Sequence, residues 1–504
     1  MLGEMNPPRG VPPDTVASLL KPDEPAPALV SVDGDSIDHA TLWDTVERLG
    51  QELRRAGLKP GDRIAIVLPN GPAIAQMLLA AMSVGCAAPL NPKYREEEFR
   101  FYLEDLRAAA LITDGQSPAA LAAMPTQTIP IEVRGEGLSI ELAVRAGTAD
   151  ASVTQRPIAD DEALVLHTSG TTSRPKIVPL RQRNLARSAR NIAASLHLTA
   201  ADRSLTVMPL FHIHGIMSGL LAPLSAGGAV VCTPGFDAFA FHRWLDELRP
   251  TYYSAVPTMH QMVLARSPDR QPTSLRFVRS SSASLARPVL EELVDLFGVP
   301  VIEAYGMTEA SHQMTCNPLP PGTVKPGSVG IPTGIEVAIL DAANNVLPRG
   351  ERGEVAIRGA TVVDGYENNP AANKAAFTAG WFRTGDEGML DEDGYLFLTG
   401  RLKEQINRGG EKISPLEIDE VLLRHPAIAE AVTFAIPHDK LGEEVGAAVV
   451  LVDGGQATEQ ELRTYLRGQL APFKVPKQIV FVTEIPKGAT GKLQRIGLAE
   501  RLAL

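Results

Sequence analysis

The chain has 504 residues, and at about 150 residues per domain this length predicts roughly three folding units. Hydrophobic residues make up 44% of it, which excludes wholesale disorder. The 59 acidic side chains outnumber the 48 basic ones, and the net charge of −11 argues against a duplex nucleic-acid binder. The three cysteines are far apart, so neither a disulfide framework nor a zinc knuckle is expected. We therefore expect a cytoplasmic protein with no nucleic-acid partner.

Two regions bear on targeting and on membrane insertion. The N-terminal residues lack the apolar core that a secretory signal needs, and the C-terminal residues do not form a peroxisomal address. Residues 204–236 contain no Asp, Glu, Lys or Arg and are numerous enough to cross a membrane. Prolines, glycines and two histidines interrupt this stretch, so we interpret it as buried core and expect no membrane span.

The first part of the chain alternates helix and strand patterns. Up to residue 113 the predicted elements are helices at 41–56 and 72–84 and strands at 63–68 and 108–113. The alternation recurs from residue 163 to about 304, with helices predicted at 184–196 and 238–248. This spacing is typical of crossover units in a parallel sheet. Residues 116–159 have weak periodicity, and we interpret them as a connecting region.

From residue 326 the pattern changes to short Val/Ile runs between turn residues, which predict a small β subdomain. Its predicted strands are at 336–340, 353–357 and 395–398. Farther on, two capping boxes open predicted helices, one at Ser414 and Glu417 and one at Thr458 and Glu461. Strands are predicted between those helices at 429–434 and 446–451.

The predicted fold class is therefore α/β in two parts. Residues 1–400 are expected to form a large N-terminal domain of parallel α/β sheets plus the small β subdomain. Residues 401–504 are expected to form a separate, compact α+β C-terminal domain.

The strongest chemical signal follows the short apolar run at residues 163–166. Residues 167–176 contain five hydroxyl side chains, one glycine and two cations. Hydroxyl and backbone N–H groups can surround phosphate oxygens, and a lysine adds a point charge. The spacing is not that of a Walker loop, and a polar surface loop is the alternative interpretation. The candidate nucleotide-binding residues here are Thr168, Ser169, Gly170, Thr171, Thr172 and Lys176.

More motifs follow along the chain, at residues 209–212, 305–309, 384–386, 400–403 and 486–492. Together with the loop they resemble, in order, the motifs of the acyl-adenylate-forming superfamily, which includes acyl-CoA synthetases, firefly luciferases and peptide-synthetase adenylation domains. Ser173 departs from the family pattern, which usually has glycine there. The longer strings at 303–312 and 407–415 resemble the oxalate–CoA ligase branch in particular. The likeness spans nearly the whole chain.

The resemblance implies that ATP, Mg²⁺ and coenzyme A are used. Thr308 and Glu309 would be catalytic, and Glu309 would bind Mg²⁺, which prefers hard oxygen ligands. Tyr305 would pack on adenine, where a ring with a polar tip suits a half-open pocket. Asp386 would hold the ribose hydroxyls, with Arg401 as its companion.

The resemblance also implies a moving C-terminal domain. Lys492 would bridge the incoming carboxylate and the phosphate in the first step, absorbing charge as two anions meet. Lys403 would be the hinge about which residues 401–504 rotate between half-reactions. His212 would gate the entry of the acid or orient its carboxylate; a hydrogen-bonded core histidine is the alternative.

Polar residues occupy the positions where relatives that handle fatty or aromatic acids have an apolar acyl pocket. The candidate acid-binding residues are His214, Ser281, Ser282 and His312. Buried polar groups need a polar ligand or water, so we predict a small polar acid such as oxalate. The alternative is that these groups bond to each other or to the nucleotide.

The predicted function is an ATP-dependent carboxylic acid–CoA ligase that forms an acyl-AMP, then an acyl-CoA thioester, and releases AMP and pyrophosphate. Alternatives are a ligase for another aliphatic or aromatic acid, 4-coumarate-like or fatty, and a luciferase-like oxygenase. An inert scaffolding relative would have lost Lys176, Glu309 or Lys492, and all three are present. The expected partners are the small acid, ATP and CoA, with the chain a monomer or homodimer.

Overall fold

The computed structural model describes residues 7–8, 10–144, 155–168, 175–267, 269, 273–486, 495–502 and 504. Within these ranges the strands form four sheets. The first nine strands are β1 (Pro27–Ser31), β2 (Ser36–Asp38), β3 (Arg63–Val67), β4 (Cys86–Pro89), β5 (Ala110–Thr113), β6 (Ile129–Glu136), β7 (Ser139–Val144), β8 (Glu162–Thr168) and β9 (Lys176–Arg181). The helices among them are α1 (His39–Arg55), α2 (Pro72–Met82), α3 (Glu96–Leu106), α4 (Pro118–Ala122) and α5 (Gln182–Ser195).

The middle of the chain continues the alternation of strand and helix. Its strands are β10 (Arg203–Thr206), β11 (Ala229–Cys232), β12 (Tyr252–Ala255), β13 (Phe277–Ser281), β14 (Val301–Met307), β15 (His312–Cys316) and β16 (Ile331–Pro332). Its helices are α6 (Ala222–Ser225), α7 (Phe241–Leu248), α8 (Pro257–Leu264) and α9 (Arg287–Phe297), with a π-helical segment at Gly215–Leu221 and a 3₁₀ turn at Thr308–Ala310.

The last third contains two smaller sheets. The strands are β17 (Glu336–Leu340), β18 (Gly353–Arg358), β19 (Phe377–Thr378), β20 (Trp381–Leu390), β21 (Leu396–Arg401), β22 (Ile406–Arg408), β23 (Glu411–Ile413), β24 (Ile428–His438), β25 (Gly442–Leu451) and β26 (Gln478–Phe481). The helices are α10 (Pro370–Ala376), α11 (Pro415–Leu422), α12 (Glu459–Arg467) and α13 (Leu498–Arg501).

Two large, mostly parallel sheets form the N-terminal part. One has the order β7-β6-β5-β3-β4-β8-β9 and the other β16-β15-β14-β13-β12-β10-β11-β1-β2. Inner strands such as β3 are apolar and buried after their first residue, as expected for strands covered on both faces. The largest apolar cluster joins both sheets through side chains of α1, α2 and α5, and residues 74–82 of α2 are entirely buried. The core therefore lies between the two sheets.

The small β subdomain and the C-terminal α+β unit were both predicted, and the predicted fold class is confirmed. Strands β17 to β21 form one five-stranded sheet, and β22 to β26 form another. Residues 204–236 contain the end of β10, the π-helical segment, α6 and β11, and most of them are buried. No helix within the described ranges is long and apolar enough to span a membrane.

The prediction of a connecting region at 116–159 was wrong for part of its length. Strands β6 and β7 form an antiparallel hairpin that extends the seven-stranded sheet, with β6 parallel to β5. The signal was weak because Pro130 interrupts the apolar alternation of β6, and proline is a poor strand residue away from sheet edges.

One of the two predicted capping boxes forms. The hydroxyl of Thr458 accepts from the backbone N–H of Glu461, whose carboxylate accepts from the backbone N–H of Thr458. The other prediction was wrong, although α11 does begin at Pro415: the Ser414 hydroxyl donates to the Thr399 carbonyl instead. Glu417 accepts from the Lys474 ammonium at 2.7 Å, so an ion pair has replaced the cap.

Candidate active site

The predicted phosphate loop lies between two antiparallel strands at the edge of the seven-stranded sheet. Thr168 ends β8 and Lys176 begins β9, and the two residues are direct register partners. Ser169, Gly170, Thr171 and Thr172 lie outside the described residues. Strand β9 packs against the 3₁₀ turn Thr308–Ala310, which brings Lys176 and the Glu309 motif to neighbouring elements.

A tyrosine connects the loop lysine with the candidate metal ligand. The Lys176 ammonium lies 4.2 Å from the centre of the Tyr366 ring, and the Tyr366 hydroxyl donates to Glu309 Oε1 at 2.9 Å. Burial lowers the pKa of Lys176; the Glu309 carboxylate opposes this shift and the Lys403 ammonium adds to it. Lys176, Glu309 and Lys403 are therefore within electrostatic reach of one another.

Three predicted nucleotide-binding residues form one hydrogen-bonded chain. The Tyr305 hydroxyl donates to Asp386 Oδ2, and Arg401 Nε donates to Asp386 Oδ1 at 2.9 Å. Asp386 and Arg401 are register partners in β20 and β21. Burial, reinforced by Asp386, raises the pKa of Tyr305 well above its usual range, so the hydroxyl stays a neutral donor. With the carboxylate fixed beside the aromatic ring, the ring can contact a base while the carboxylate binds a sugar hydroxyl.

The residues near Glu309 fit Mg²⁺ as it is usually held with nucleotides. Thr308 and Glu309 supply hard oxygen atoms, while the described residues contain no group of three or more His, Cys, Asp or Glu side chains that could hold a metal alone. Mg²⁺ is commonly bound through one or two carboxylates plus substrate phosphates and water. Glu309 and phosphate oxygens together would provide such a set.

The buried His214 and His312 and the half-buried Ser282 form a polar cluster. The two imidazole rings stack with centroids 4.8 Å apart. His214 Nδ1 lies 3.1 Å from Ser282 Oγ and its Nε2 lies 2.7 Å from Ser254 Oγ. His312 Nε2 lies 2.9 Å from Ser218 Oγ, in the π-helical segment.

The other two residues of this group are placed differently. Ser281 donates to the backbone carbonyl of Ala304 at 2.9 Å, so its hydroxyl bonds to β14. His212 is half-buried beside the cluster, and its Nδ1 accepts from the backbone N–H of His214 at 3.3 Å. The structure therefore brings Ser282, His214 and His312 together, with His212 next to them in the chain.

The backbone around the cluster adopts conformations that side chains rarely take. Ser282, Ser311 and His312 have φ values of 74°, 53° and 91°. A Cβ atom on Gly306 would lie 2.0 Å from the carbonyl oxygen of His312, so only glycine fits where β14 passes β15. Strained positions of this kind concentrate at functional sites, which is consistent with a binding role for the cluster.

Of the two lysines assigned to the moving domain, Lys403 is among the described residues. Lys403 is exposed in the turn between β21 and β22, and the turn is closed by a bond from the Glu404 N–H to the Arg401 carbonyl at 3.0 Å. Lys492 lies outside the described residues.

Sequence reasoning missed four residues of the site: Ser218, Ser254, Arg279 and Tyr366. Arg279 stands inside the buried strand β13 directly after two apolar residues, and a charged residue at such a position is a signal that could have been used. Tyr366 and the two serines carry no comparable signal, because their roles depend on which elements meet in space.

Comparison with known protein families shows to which family the chain belongs. The model of the AMP-binding enzyme family matches residues 20–367, and that of the AMP-binding enzyme C-terminal domain matches residues 417–492. The chain belongs to the AMP-binding enzyme family.

Two relatives and one solved structure show which members of the family the chain resembles. The chain is 46% identical to an oxalate–CoA ligase of Arabidopsis thaliana, over 96% of the chain and 97% of the relative. It is 44% identical to an oxalate–CoA ligase of Saccharomyces cerevisiae, over 88% and 87%. The crystal structure of ATP-bound MatB from Rhodopseudomonas palustris superposes with a TM-score of 0.86 at 30% identity, over 96% and 98%.

These likenesses confirm the prediction of an AMP-forming acyl-CoA synthetase of the oxalate–CoA ligase branch. The predicted use of ATP, with Mg²⁺ as its usual partner, and of CoA is confirmed with it.

Proposed function

We propose that this member of the family activates a small polar acid, with oxalate the first candidate. The observation that carries the proposal is the cluster of His214, Ser282 and His312, whose polar atoms face each other instead of forming an apolar wall. These groups already bond to one another, and an apolar acid packed against them would offer buried polar atoms no further hydrogen-bond partner, which is costly. A small acid with oxygen atoms at both ends offers acceptors to the same groups.

The proposed reaction has two steps. In the first, a carboxylate oxygen attacks the α-phosphorus of ATP, the bond to pyrophosphate breaks, and acyl-AMP forms. In the second, the thiol of CoA loses its proton and attacks the acyl carbon, and AMP leaves. Both reactants of the first step are anions, so cations have to absorb the developing charge.

We propose the nucleotide roles that the family resemblance implies. Tyr305 packs on adenine, and Asp386 holds the ribose hydroxyls while Arg401 fixes its orientation. Thr308 and Glu309 supply oxygen ligands for Mg²⁺. The phosphate ligands are Thr168, Ser169, Gly170, Thr171, Thr172 and Lys176.

The acid roles concern the first step. His214, Ser282 and His312 bind the acid, with Ser281 supporting them from β13. His212 orients the reacting carboxylate from its half-buried position. Lys492 bridges that carboxylate and the α-phosphate.

We also propose that residues 1–400 and 401–504 act as two domains. No described strand is shared between the sheets of the two parts, and Lys403 lies in the turn that joins them. A turn with few residues can absorb the change in φ and ψ that a domain rotation needs.

The location and assembly of the protein stay predictions. We expect a cytoplasmic protein that is a monomer or homodimer. Subcellular fractionation and light scattering after size-exclusion chromatography would test these two points.

A panel of acids tests the substrate. Pyrophosphate release would be measured with ATP, Mg²⁺ and CoA for oxalate, malonate, acetate, octanoate and 4-coumarate. We expect oxalate to give the highest kcat/KM, at least about tenfold above the apolar acids, since the loss of one or two buried hydrogen bonds costs about 1.4 kcal/mol or more. A higher kcat/KM for octanoate or 4-coumarate would contradict the proposal.

A further inference from the structure

An arginine lies behind the proposed acid-binding cluster, entirely buried. Arg279 is on β13, its exposure is 0%, and it is among the largest fully buried side chains of the described chain. Its guanidinium donates to Ser254 Oγ at 2.8 Å, to Gln313 Oε1 at 2.9 Å and to His312 Nε2 at 3.3 Å. It also lies 3.5 Å from His214 Nε2. Arg279 therefore contacts both histidines of the cluster.

This guanidinium has no acidic partner among the residues that the structure describes. Its hydrogen-bond partners are neutral side chains, the neighbouring Cys316 thiol has its pKa raised by burial, and its Nε has no hydrogen-bond partner among the described residues. By contrast, the little-exposed Arg495 forms an ion pair with Asp419 at 2.5 Å. A buried charge without a counter-charge is costly, and an arginine stays protonated even where burial lowers its pKa. The arrangement is thus short of one negative charge.

The hydrogen bonds of Arg279 also have a fixed direction, because a guanidinium can only donate. Arg279 donates both to Ser254 Oγ at 2.8 Å and to His214 Nε2 at 3.5 Å, so His214 Nε2 is an acceptor and the Ser254 hydroxyl donates to it at 2.7 Å. A neutral His214 then carries its proton on Nδ1 and donates to Ser282 Oγ at 3.1 Å. Ser282 is half-buried directly after β13, and because its oxygen accepts from His214, its own hydrogen is still available for donation.

The same reasoning applies to the second histidine. Because Arg279 donates to His312 Nε2, that nitrogen is an acceptor and the neutral ring carries its proton on Nδ1. Both branches that start at Arg279 therefore direct donors away from it. Hydrogen-bond donors next to a buried positive charge are suited to binding an anionic group.

We propose that Arg279 is a specificity-determining positioning residue: through His214 and His312 it orients donors toward the second carboxylate of a dianionic acid, and its charge is the counter-charge for that carboxylate. This inference rests on the proposed function, in which a small dicarboxylate is the acid. Arg279 is not itself expected to touch the reacting atoms, since it has no exposed surface.

The test compares oxalate with oxamate, in which a neutral amide replaces one carboxylate at nearly the same size. In Arg279→Met we expect kcat/KM for oxalate to fall at least about 100-fold, with the loss mainly in the KM for the acid and with the KM for ATP unchanged. The preference for oxalate over oxamate should shrink by a similar factor. Arg279→Lys, which keeps the charge, should recover part of the oxalate activity.

Two other variants separate this role from a merely structural one. Ser254→Ala keeps the buried charge but removes one branch of donors, and we expect about a tenfold loss with oxalate and little change in melting temperature. Arg276→Met is the matched control, because Arg276 precedes β13, pairs with Asp202 at 2.7 Å and is partly exposed. It should lower the melting temperature without changing the preference between the two acids.

The outcomes distinguish the two proposals. If the wild-type enzyme releases no pyrophosphate with oxalate, the proposed function fails. If the wild-type enzyme uses oxalate but Arg279→Met lowers the rates with both acids equally, with no recovery in Arg279→Lys, only the role of Arg279 is overturned. An unchanged KM for oxalate in both Arg279→Met and Ser254→Ala would overturn it as well.

Discussion

At the scale of single residues, the site depends on a few buried tyrosines with hydroxyl groups aimed at carboxylates. Tyr366 has two contacts at once: its ring lies under the Lys176 ammonium and its hydroxyl donates to Glu309. The carboxylate raises the pKa of Tyr366 further above the value that burial gives it, so the hydroxyl remains a donor at neutral pH. Glu309 is thereby held in one orientation before any metal arrives.

Replacing Tyr366 by phenylalanine should separate these two contacts. The ring under Lys176 remains, while Glu309 Oε1 loses a donor; a hydrogen bond to a charged group is typically worth about 1.5–3 kcal/mol. We expect about a tenfold fall in kcat/KM for Mg²⁺·ATP in pyrophosphate release, with the change largely in the metal dependence. The measurement is a titration of the initial rate with Mg²⁺ at fixed ATP.

Tyr395 provides the matched control for this substitution. Its hydroxyl donates to the Thr323 carbonyl at 2.6 Å, and Lys325 lies 4.4 Å from its ring centre, so the local arrangement is similar but lies in the small β subdomain. Tyr395→Phe should leave the Mg²⁺ dependence unchanged. An equal change in both variants would show that the Glu309 contact is not responsible.

Part of the site could be predicted because some of its residues are close together in the sequence. Tyr305 and Glu309 stand in one short string, so their identity and order were readable before the fold was known. Arg279 and Ser254 lie on neighbouring strands, and Ser218 comes from a separate π-helical segment. Their meeting depends on sheet order, which periodicity does not encode.

At the scale of elements, strand β14 contains a buried carboxylate whose pKa is shifted. It carries Tyr305 near one end, and Glu303 two residues earlier is buried with its carboxylate accepting from the Gly327 N–H at 3.2 Å. Burial raises the pKa of Glu303 to about 7, and Glu420 of α11 adds to the shift. The stability of this strand should therefore depend on pH near neutrality.

The sign of that dependence follows from the direction of the shift. The usual glutamate pKa of 4.5 is raised to about 7 in the folded protein, so the folded state binds the proton more tightly. The stabilisation is complete below pH 4.5 and is lost as the pH rises through 7. Glu303→Gln removes this titration while keeping an acceptor for Gly327.

We expect the free energy of unfolding of Glu303→Gln, relative to the wild type, to increase by about 3 kcal/mol between pH 5 and pH 8, taking about 1.4 kcal/mol for each pKa unit. Urea unfolding at pH 5, 6, 7 and 8 measures it. Glu351→Gln, at an exposed position before β18, is the control and should differ from the wild type by a constant amount. A constant difference for Glu303→Gln would contradict the expectation.

Helices and caps were predictable where the local sequence pattern was strong and no residue distant in sequence competed for the same hydrogen bonds. The helix at 41–56 has a regular apolar stripe, and α1 covers nearly the same residues. The cap at Ser414 failed because two competing partners, the Thr399 carbonyl and the Lys474 ammonium, are distant in sequence. Local hydrogen-bonding patterns cannot exclude such partners.

At the scale of the whole molecule, the proposed roles require that the C-terminal part serves two half-reactions in turn. In the proposed adenylation step it would deliver Lys492 to the α-phosphate, and in the thioester step other residues would take its place. The exposed turn that holds Lys403, within electrostatic reach of Lys176, is where such a rotation would be centred.

Lys492→Ala should therefore affect only one half-reaction. We expect pyrophosphate formation to fall by about 100-fold or more, since a charge contact made in the transition state is lost, while thioester synthesis from pre-made acyl-AMP and CoA persists. Lys440→Ala, at an exposed lysine between β24 and β25, serves as the control. Equal loss of both half-reactions would refute the assignment of Lys492 to the first step.

The sheet topology has one more consequence. Within the part of the chain that the structure describes, strands β22 to β26 pair with one another and with no other strand, and residues 402–405 connect them to the preceding sheet. For a short flexible linker such a connection maintains an effective concentration in the millimolar range. A split enzyme made by cutting there would have to reach that concentration in bulk solution, and at micromolar amounts its rate would rise with the product of the two fragment concentrations.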